Sequence, residues 1–145
     1  MPIKFQHIAP KDILCAMPFI QKLSGHKVPN EILSQRLLEM VTQNYECIGI
    51  YDADKMIGCC GLWFMTRHYA GKSCEADHVY IDESYRSKGL GKQLFNWIES
   101  YVKAKGCETI ELNAFLHNTA GHRFYEREGF EKPGYHFVKW ISEEA

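Results

Sequence analysis

The chain has 145 residues, 46% of them hydrophobic and 24% charged, and its 17 Lys and Arg against 18 Asp and Glu leave a formal net charge of −1. That balance excludes a coreless, disordered chain and the strongly cationic surface by which nucleic-acid binders displace counterions. The length suits one core, no apolar run approaches the roughly 20 residues that span a bilayer, and the start has no long apolar signal stretch, so one cytoplasmic domain over residues 1–145 is expected, with neither nucleic acid nor membrane as partner.

Along the chain, Ile3 to Ile8 alternates apolar and polar residues and reads as a short strand. Asp12 opens a helical pattern through Ile13, Leu14, Met17, Ile20 and Leu23, which Pro18 should kink or break and Gly25 should stop. Asn30 is placed to cap a second helix with an apolar stripe at Ile32, Leu33, Leu37, Leu38, Met40 and Val41. Residues 45–51 and 56–66 read as a hairpin, and Gly58 and Gly61 in its second strand point to a bulge or to something packed close by. A third strand-like stretch covers 74–82. A helix follows over 91–105, with Leu94, Trp97, Ile98, Tyr101 and Val102 inward and Gly106 as its stop. A strand at 109–115, a short helix from His117 or Asn118 to Gly129, and a last strand at 136–141 complete the order β α α β β β α β α β. This is an α/β (α+β) pattern around a mixed sheet.

The six cysteines do not suggest a disulfide frame: Cys59 and Cys60 are adjacent, Cys47 and Cys74 lie in strand-like runs, and Cys107 sits beside a helix stop. They read as reduced, mostly buried thiols acting as small hydrophobes. Cys74 and His78 mimic a metal pair, but on a strand they would stand about 13 Å apart, too far for one tetrahedral ion, and no metal is expected.

The stretch Val79-Tyr80-Ile81-Asp82-Glu83-Ser84-Tyr85-Arg86-Ser87-Lys88-Gly89-Leu90-Gly91-Lys92 runs from strand through polar turn and glycines into helix. Such a turn makes an anion site, because first-turn N–H groups lack intrahelical acceptors and the helix dipole is positive there. Gly89 and Gly91 allow close backbone approach, and Arg86, Lys88 and Lys92 add charge. The spacing fits neither a P-loop nor a dinucleotide fingerprint, since Gly91-Lys92 is followed by Gln93 and position 94 is Leu.

Arg86-Ser87-Lys88-Gly89-Leu90-Gly91 matches the [QR]-x-x-G-x-[GA] signature of the GNAT acetyltransferases, and Val79 to Tyr85 resembles their preceding strand and turn. His117-Asn118-Thr119-Ala120-Gly121-His122-Arg123-Phe124-Tyr125-Glu126-Arg127-Glu128-Gly129-Phe130 resembles a second family segment, N-x-x-A-x-x-[FL]-Y-[EK]-x-x-G-F. The resemblance runs from about Cys74 to Trp140. It departs from the pattern in two places: Glu83 or Ser84 stands where the turn usually has Pro, and the alanine after Asn118 is offset, at Ala120. It implies one domain with a mostly antiparallel sheet of about six to seven strands, flanked by helices and splayed between the fourth and fifth strands.

The resemblance further implies acetyl transfer from acetyl-CoA to a primary amine of a small molecule or peptide, in a ternary complex. The pyrophosphate would sit on the backbone of Arg86, Ser87, Lys88, Gly89, Leu90, Gly91 and Lys92. The backbone of Val79, Tyr80 and Ile81 would pair with the pantetheine arm like an added strand. Asn118 and Phe124 would complete the cofactor wall. Tyr125 matches the general acid for the departing thiolate, as a phenol with a pKa near 10 stays protonated at neutral pH. Glu75 lies eleven residues before Arg86, the spacing of a catalytic glutamate in one branch of the family. Strand alternation places Asp77 and Val79 on its face and turns His78 away to a structural role, leaving Glu75 and Asp77 to hold an ammonium ion and collect its proton. The family usually dimerises, so a homodimer is possible. The competing reading is a non-catalytic acetyl-CoA-binding regulatory module, against which Tyr125, Glu75 and Asp77 count.

Overall fold

The computed structural model describes residues 2–142, and it turns the period-two stretches of the first half into one sheet. Its strands are β1 (Ile3–Ile8), β2 (Tyr45–Asp52), β3 (Lys55–Arg67), β4 (Gly71–Ile81) and β5 (Thr109–Leu112), hydrogen-bonded in chain order. The first three junctions are antiparallel and β4–β5 is parallel, the mixed, mostly antiparallel sheet expected. The chain divides into two compact units, one ending at Leu112 and one starting at Asn113.

In the first unit, the helical pattern after β1 breaks at Pro18. A 3-10 segment, Pro10–Ala16, precedes α1 (Met17–Ser24), which carries Pro18 in its first turn, where no N–H is needed. Gly25 ends α1 at φ +71°, its N–H directed to the carbonyls of Gln21 and Lys22. The second helix, α2 (Asn30–Met40), starts after Pro29 instead of using Asn30 as its cap. The Asn30 carboxamide oxygen accepts from Nε2 of buried Gln21 at 2.9 Å, and Gln21 also donates to the Val28 carbonyl at 2.6 Å. The side chain expected to cap the helix therefore closes the preceding loop.

Alternation gives the sheet two faces. Tyr45, Cys47 and Cys59 pack with Ile8, Ile13, Leu33 and Leu37 beneath α1 and α2. On the other face lies α3 (Leu90–Ala104): Trp97 meets Phe5 at 6.0 Å between ring centroids, and the Tyr101 hydroxyl donates to Glu46. All six cysteines are free, with Cys47, Cys59, Cys60 and Cys74 buried, and burial lifts the Cys74 thiol to about 12.

The β3–β4 ladder carries the irregularity that matters most. Cys59 pairs with Tyr80 and Gly61 with Asp77, so Cys60 alone opposes both His78 and Val79. This is a β-bulge, with its first residue, His78, at φ +34°. It explains the two glycines of β3. A Cβ on Gly58 would lie 2.2 Å from the Tyr80 carbonyl oxygen, and one on Gly61 would lie 2.2 Å from Nε2 of His78. The β4–β5 ladder covers only Ser73 to Ala76, so residues 77–81 continue past the last paired residue of β5, as a splayed fourth strand requires.

Two expectations are corrected. The strand expected to reach 115 stops at Leu112, which pairs with Ala76, the last β4 residue in that ladder. The strand expected at 136–141 is not formed, and residues 130–142 hold neither helix nor strand, leaving five strands among the described residues instead of six or seven. Strand-forming side chains supply a propensity but not a ladder, and without paired N–H and C=O groups Phe137 and Ile141 stay exposed, at 90% and 95%.

The second unit is built around α4 (Thr119–Arg127), capped by Asn118 and followed by Gly129 at φ +95°.

Replacing Gly58 by Ala forces β3 and β4 apart at the Tyr80 carbonyl. The expected cost is about 1–3 kcal/mol, read as a lower urea midpoint at unchanged m-value.

Candidate active site

The bulge re-aims β4. Upstream of it Glu75 and Asp77 register with Trp63 and Gly61, on the face of Tyr45 and Cys47. The extra residue then inverts the alternation: His78 lies over Gly61 on that same face, and Tyr80, opposite Cys59, meets Phe19 of α1 at 6.0 Å. His78 thus points with Asp77, not away from it, and Tyr80 takes the place on that face that alternation assigns to Val79. A bulge has no local sequence signature beyond the facing glycines, so counting by twos fails at this point.

His78 is held by neighbours from two strands. Its Nε2 is hydrogen-bonded to the Tyr45 hydroxyl and its Nδ1 lies 3.7 Å from Sγ of Cys59. Burial pushes the imidazole pKa below its ordinary value, against an upward pull from Asp77. Burial likewise raises Tyr45, and the Cys47 hydrogen bond followed by burial holds the Cys59 thiol well above the usual range. Cys59 therefore sits beside a histidine as a protonated, fully buried thiol, not as a nucleophile.

The two candidate acids have different surroundings. Asp77 is exposed and accepts from Trp63 Nε1 at 3.1 Å and from the His78 backbone N–H at 2.8 Å. Glu75 is half-buried, with Oε1 3.3 Å from the guanidinium of Arg67, whose Nε donates to Glu111 at 2.8 Å. Burial alone would raise the Glu111 carboxyl, but hydrogen bonds from Ser73, Tyr69 and Arg67 outweigh it and hold its pKa below the usual value. Glu75 and Asp77 thus share a face, yet one is paired with an Arg67 that it shares with Glu111 and the other is exposed. Beside Trp63, an open cleft of about 520 Å³ is lined by Gln43, Asn44, Phe64 and Met65. Sequence reasoning expected specificity elements in the first helices and in the region from Trp63 to Lys72, which includes Arg67, but missed Tyr45 and Glu111, which sit on other strands; only Gly61 signalled that something packs closely there.

The glycine-rich turn follows directly. Asp82 accepts from the Ser84 N–H at 3.2 Å, and a 3-10 turn, Glu83–Tyr85, leads to Arg86. Ser87 and Gly89 both adopt left-handed φ, +62° and +77°, and α3 begins at Leu90 without a side-chain cap. The Leu90 side chain is buried, so only its backbone faces the turn. Arg86 is already engaged: Nε donates to the Ile81 carbonyl at 2.8 Å and the guanidinium lies 5.1 Å from the Tyr80 ring centroid. Lys88 lies over Tyr85 at 5.6 Å. The Tyr80 carbonyl is directed at Gly58, so strand alternation turns the peptide groups of Val79 and Ile81 toward the open edge instead of all three.

In the second unit, Asn118 Oδ1 accepts the Gly121 N–H at 3.1 Å, the capping bond that starts α4. Phe124 and Tyr125 meet edge to face at 5.4 Å, and Tyr125 meets Phe130 in the same manner at 5.8 Å. No group of three or more His, Cys, Asp or Glu among the described residues is placed to hold a metal ion, and no described helix is long and apolar enough to cross a membrane.

Residues 17–130 match the model of the acetyltransferase (GNAT) family. The chain is 31% identical over 72 residues to the aminoalkylphosphonate N-acetyltransferase of Salmonella typhimurium, covering 50% of this chain and 47% of that protein. It is 37% identical over 59 residues to the spermine/spermidine N(1)-acetyltransferase of Bacillus subtilis, covering 40% and 39%. These matches span about half or less of the relatives' length. Among solved structures, a possible acetyltransferase from Clostridium difficile 630 superposes with TM-score 0.80 at 17% identity, covering 97% of both chains. AAC(6')-Iy in complex with the bisubstrate analog CoA-S-monomethyl-acetylneamine superposes with TM-score 0.81 at 14% identity, covering 98% of this chain and 99% of that one.

Half-buried His78 gives the fold a defined acid sensitivity. Its folded pKa lies below the ordinary 6.5, so as pH falls through 6.5 the unfolded chain takes up a proton that the folded chain refuses. Stability is full above that value and declines below it, down to the depressed folded pKa. Thermal midpoints measured from about pH 8 to about pH 5 should fall over the lower part of the range, and His78→Gln should flatten that decline. An identical slope in the variant would assign the sensitivity to another group.

Proposed function

Since this chain belongs to the GNAT acetyltransferase family, we propose that it is an N-acetyltransferase, moving the acetyl group of acetyl-CoA to a primary amine of a small molecule or peptide. The observation that carries this reading is the open edge of β4 past Ala76, running straight into the uncapped start of α3. An extended acyl-pantetheine arm takes the peptide groups of Val79 and Ile81 as an added strand. Its pyrophosphate takes the backbone of Arg86 to Lys92, where dipole, lysines and Gly89 favour an anion.

An alkylamine with a pKa near 10.4 is neutral in only about one part in a few thousand at pH 7, so the acceptor must lose a proton before it attacks the thioester carbonyl carbon. Asp77 is the favoured base, because its carboxylate is exposed and forms no ion pair among the described residues, whereas Glu75 is paired with Arg67. In this assignment Arg67 and Glu111 fix Glu75 as a neighbouring charge, and the acceptor lies along Trp63 and its cleft. The C–S bond breaks as the C–N bond forms; in the role that the motif resemblance implies for Tyr125, its phenol protonates the CoA thiolate and is restored by the second proton that the amine nitrogen sheds. The names of the bacterial relatives, aminoalkylphosphonate and spermine/spermidine acetyltransferases, support a small amine as acceptor. A cytoplasmic setting, where acetyl-CoA is made and used, fits this chemistry.

Free CoA should appear only when both acetyl-CoA and a suitable amine are present. Asp77→Asn should lower kcat by about 100-fold or more and Glu75→Gln by clearly less. Tyr125→Phe should lower kcat more than acetyl-CoA affinity. Rates unchanged by Asp77→Asn would remove the base assignment, and rates unchanged by Tyr125→Phe would remove the acid.

A further inference from the structure

Two donors converge on the Asp77 carboxylate. Trp63 registers opposite Glu75 and diagonally from Asp77, whose own opposite residue, Gly61, has no side chain. The indole reaches across that diagonal: its Nε1 donates to Asp77 Oδ2 at 3.1 Å, while the His78 backbone N–H donates to Oδ1 at 2.8 Å. Each oxygen thus accepts one of these bonds and has a second lone-pair site to offer, and donors on two different strands hold the plane of the group. The indole is itself held, 4.9 Å from Tyr45 between ring centroids, and it borders the cleft shared with Gln43, Asn44, Phe64 and Met65. Further along β3, Arg67 takes Glu75 at 3.3 Å. The strand therefore gives one acid a guanidinium and the other a neutral N–H. A neutral donor orients a carboxylate without the full opposite charge that makes it reluctant to accept a proton.

We propose that Trp63 is a positioning residue for acetyl transfer: its indole N–H holds the Asp77 carboxylate in the orientation that takes the proton of the acceptor ammonium. This rests on the acetyltransferase reading above, with Asp77 as its base. The step moves one proton. An N–H bond of the ammonium breaks, an O–H bond forms on Asp77, and the exposed acid passes the proton to solvent while the neutral amine goes on to the thioester. Without the indole donor, the carboxylate keeps only the bond from the neighbouring backbone and turns about its Cβ–Cγ bond, so fewer of its conformers meet the amine. The defect should therefore fall on proton removal and spare the binding of acetyl-CoA.

Two replacements test this. Trp63→Phe keeps an aromatic ring against Tyr45 and removes the donor. Benzothienylalanine in place of Trp63 keeps both fused rings and exchanges only the N–H for sulfur, which covers the case in which Trp63→Phe does not fold. With spermidine, aminoethylphosphonate and butylamine as acceptors, either replacement should lower kcat about tenfold, less than Asp77→Asn does, while KM for acetyl-CoA stays within about twofold. In the Asp77→Asn background the same replacements should change kcat by less than about twofold, because no base remains to be oriented. An alkoxyamine, already neutral at neutral pH, should be acetylated by wild type and variants at rates within about twofold of each other. Wild-type kcat in the folded variants, losses that add to those of Asp77→Asn, or equal losses with alkylamine and alkoxyamine would overturn the proposal. Apart from turnover, one of the three indole N–H signals in proton–nitrogen spectra should move on Asp77→Asn, and three unmoved signals would overturn it as well. Failure of the acetyltransferase reading looks different: wild type would release no CoA with any of these amines, which removes the role of Trp63 with it, while a moved indole signal would keep the bond.

Discussion

One extra residue in β4 is the constraint on which the site depends. Without it, His78 and Tyr80 would turn to the α3 face and Val79 to the helix face beneath α1 and α2. With it, Asp77, His78 and Tyr80 all lie on one side of the sheet, and the strand keeps its hydrogen bonds to β3 while it parts from β5. The cost is a left-handed non-glycine residue and a close approach to two glycines, and both are accommodated by contacts within the unit. Gly61 makes room for the imidazole, and Gly58 makes room for the Tyr80 carbonyl.

Charge is organised locally around this geometry, within a total of −1. Arg67 stands between Glu75 and Glu111 and removes the symmetry of the two candidate acids, leaving Asp77 as the exposed carboxylate. A few residues further along, the start of α3 presents backbone donors beside Lys88 and Lys92. A carboxylate suited to an amine and a turn suited to a phosphate thus belong to one continuous stretch of chain, and the bulge sets the direction of the strand between them.

Much of this was legible from periodicity and punctuation. The early strands, the break at Pro18, the αL stop at Gly25, the hairpin and the glycine-rich turn follow from short-range rules, because each is decided by a few neighbouring residues. Where a long-range partner decides, those rules fail. Asn30 is a good cap by composition but is claimed by Gln21. Residues 136–141 are rich in strand-forming side chains, but the described structure pairs them with no ladder. Glu75 has the spacing of a base, but Arg67, eight positions earlier, reaches it across the hairpin.

By itself, the sequence determined most of the helical and extended stretches up to Leu112, the chemistry available at the turn from Arg86 to Lys92, and the candidacy of Asp77 and Glu75 as acids. Only the tertiary structure decided how those groups face, through the bulge, and which acid stays unpaired, through Arg67. The physical reason is the range of the forces. Dihedral preferences, caps and first-turn N–H groups act within a few residues, whereas strand register and charge pairing join residues that only folding brings together.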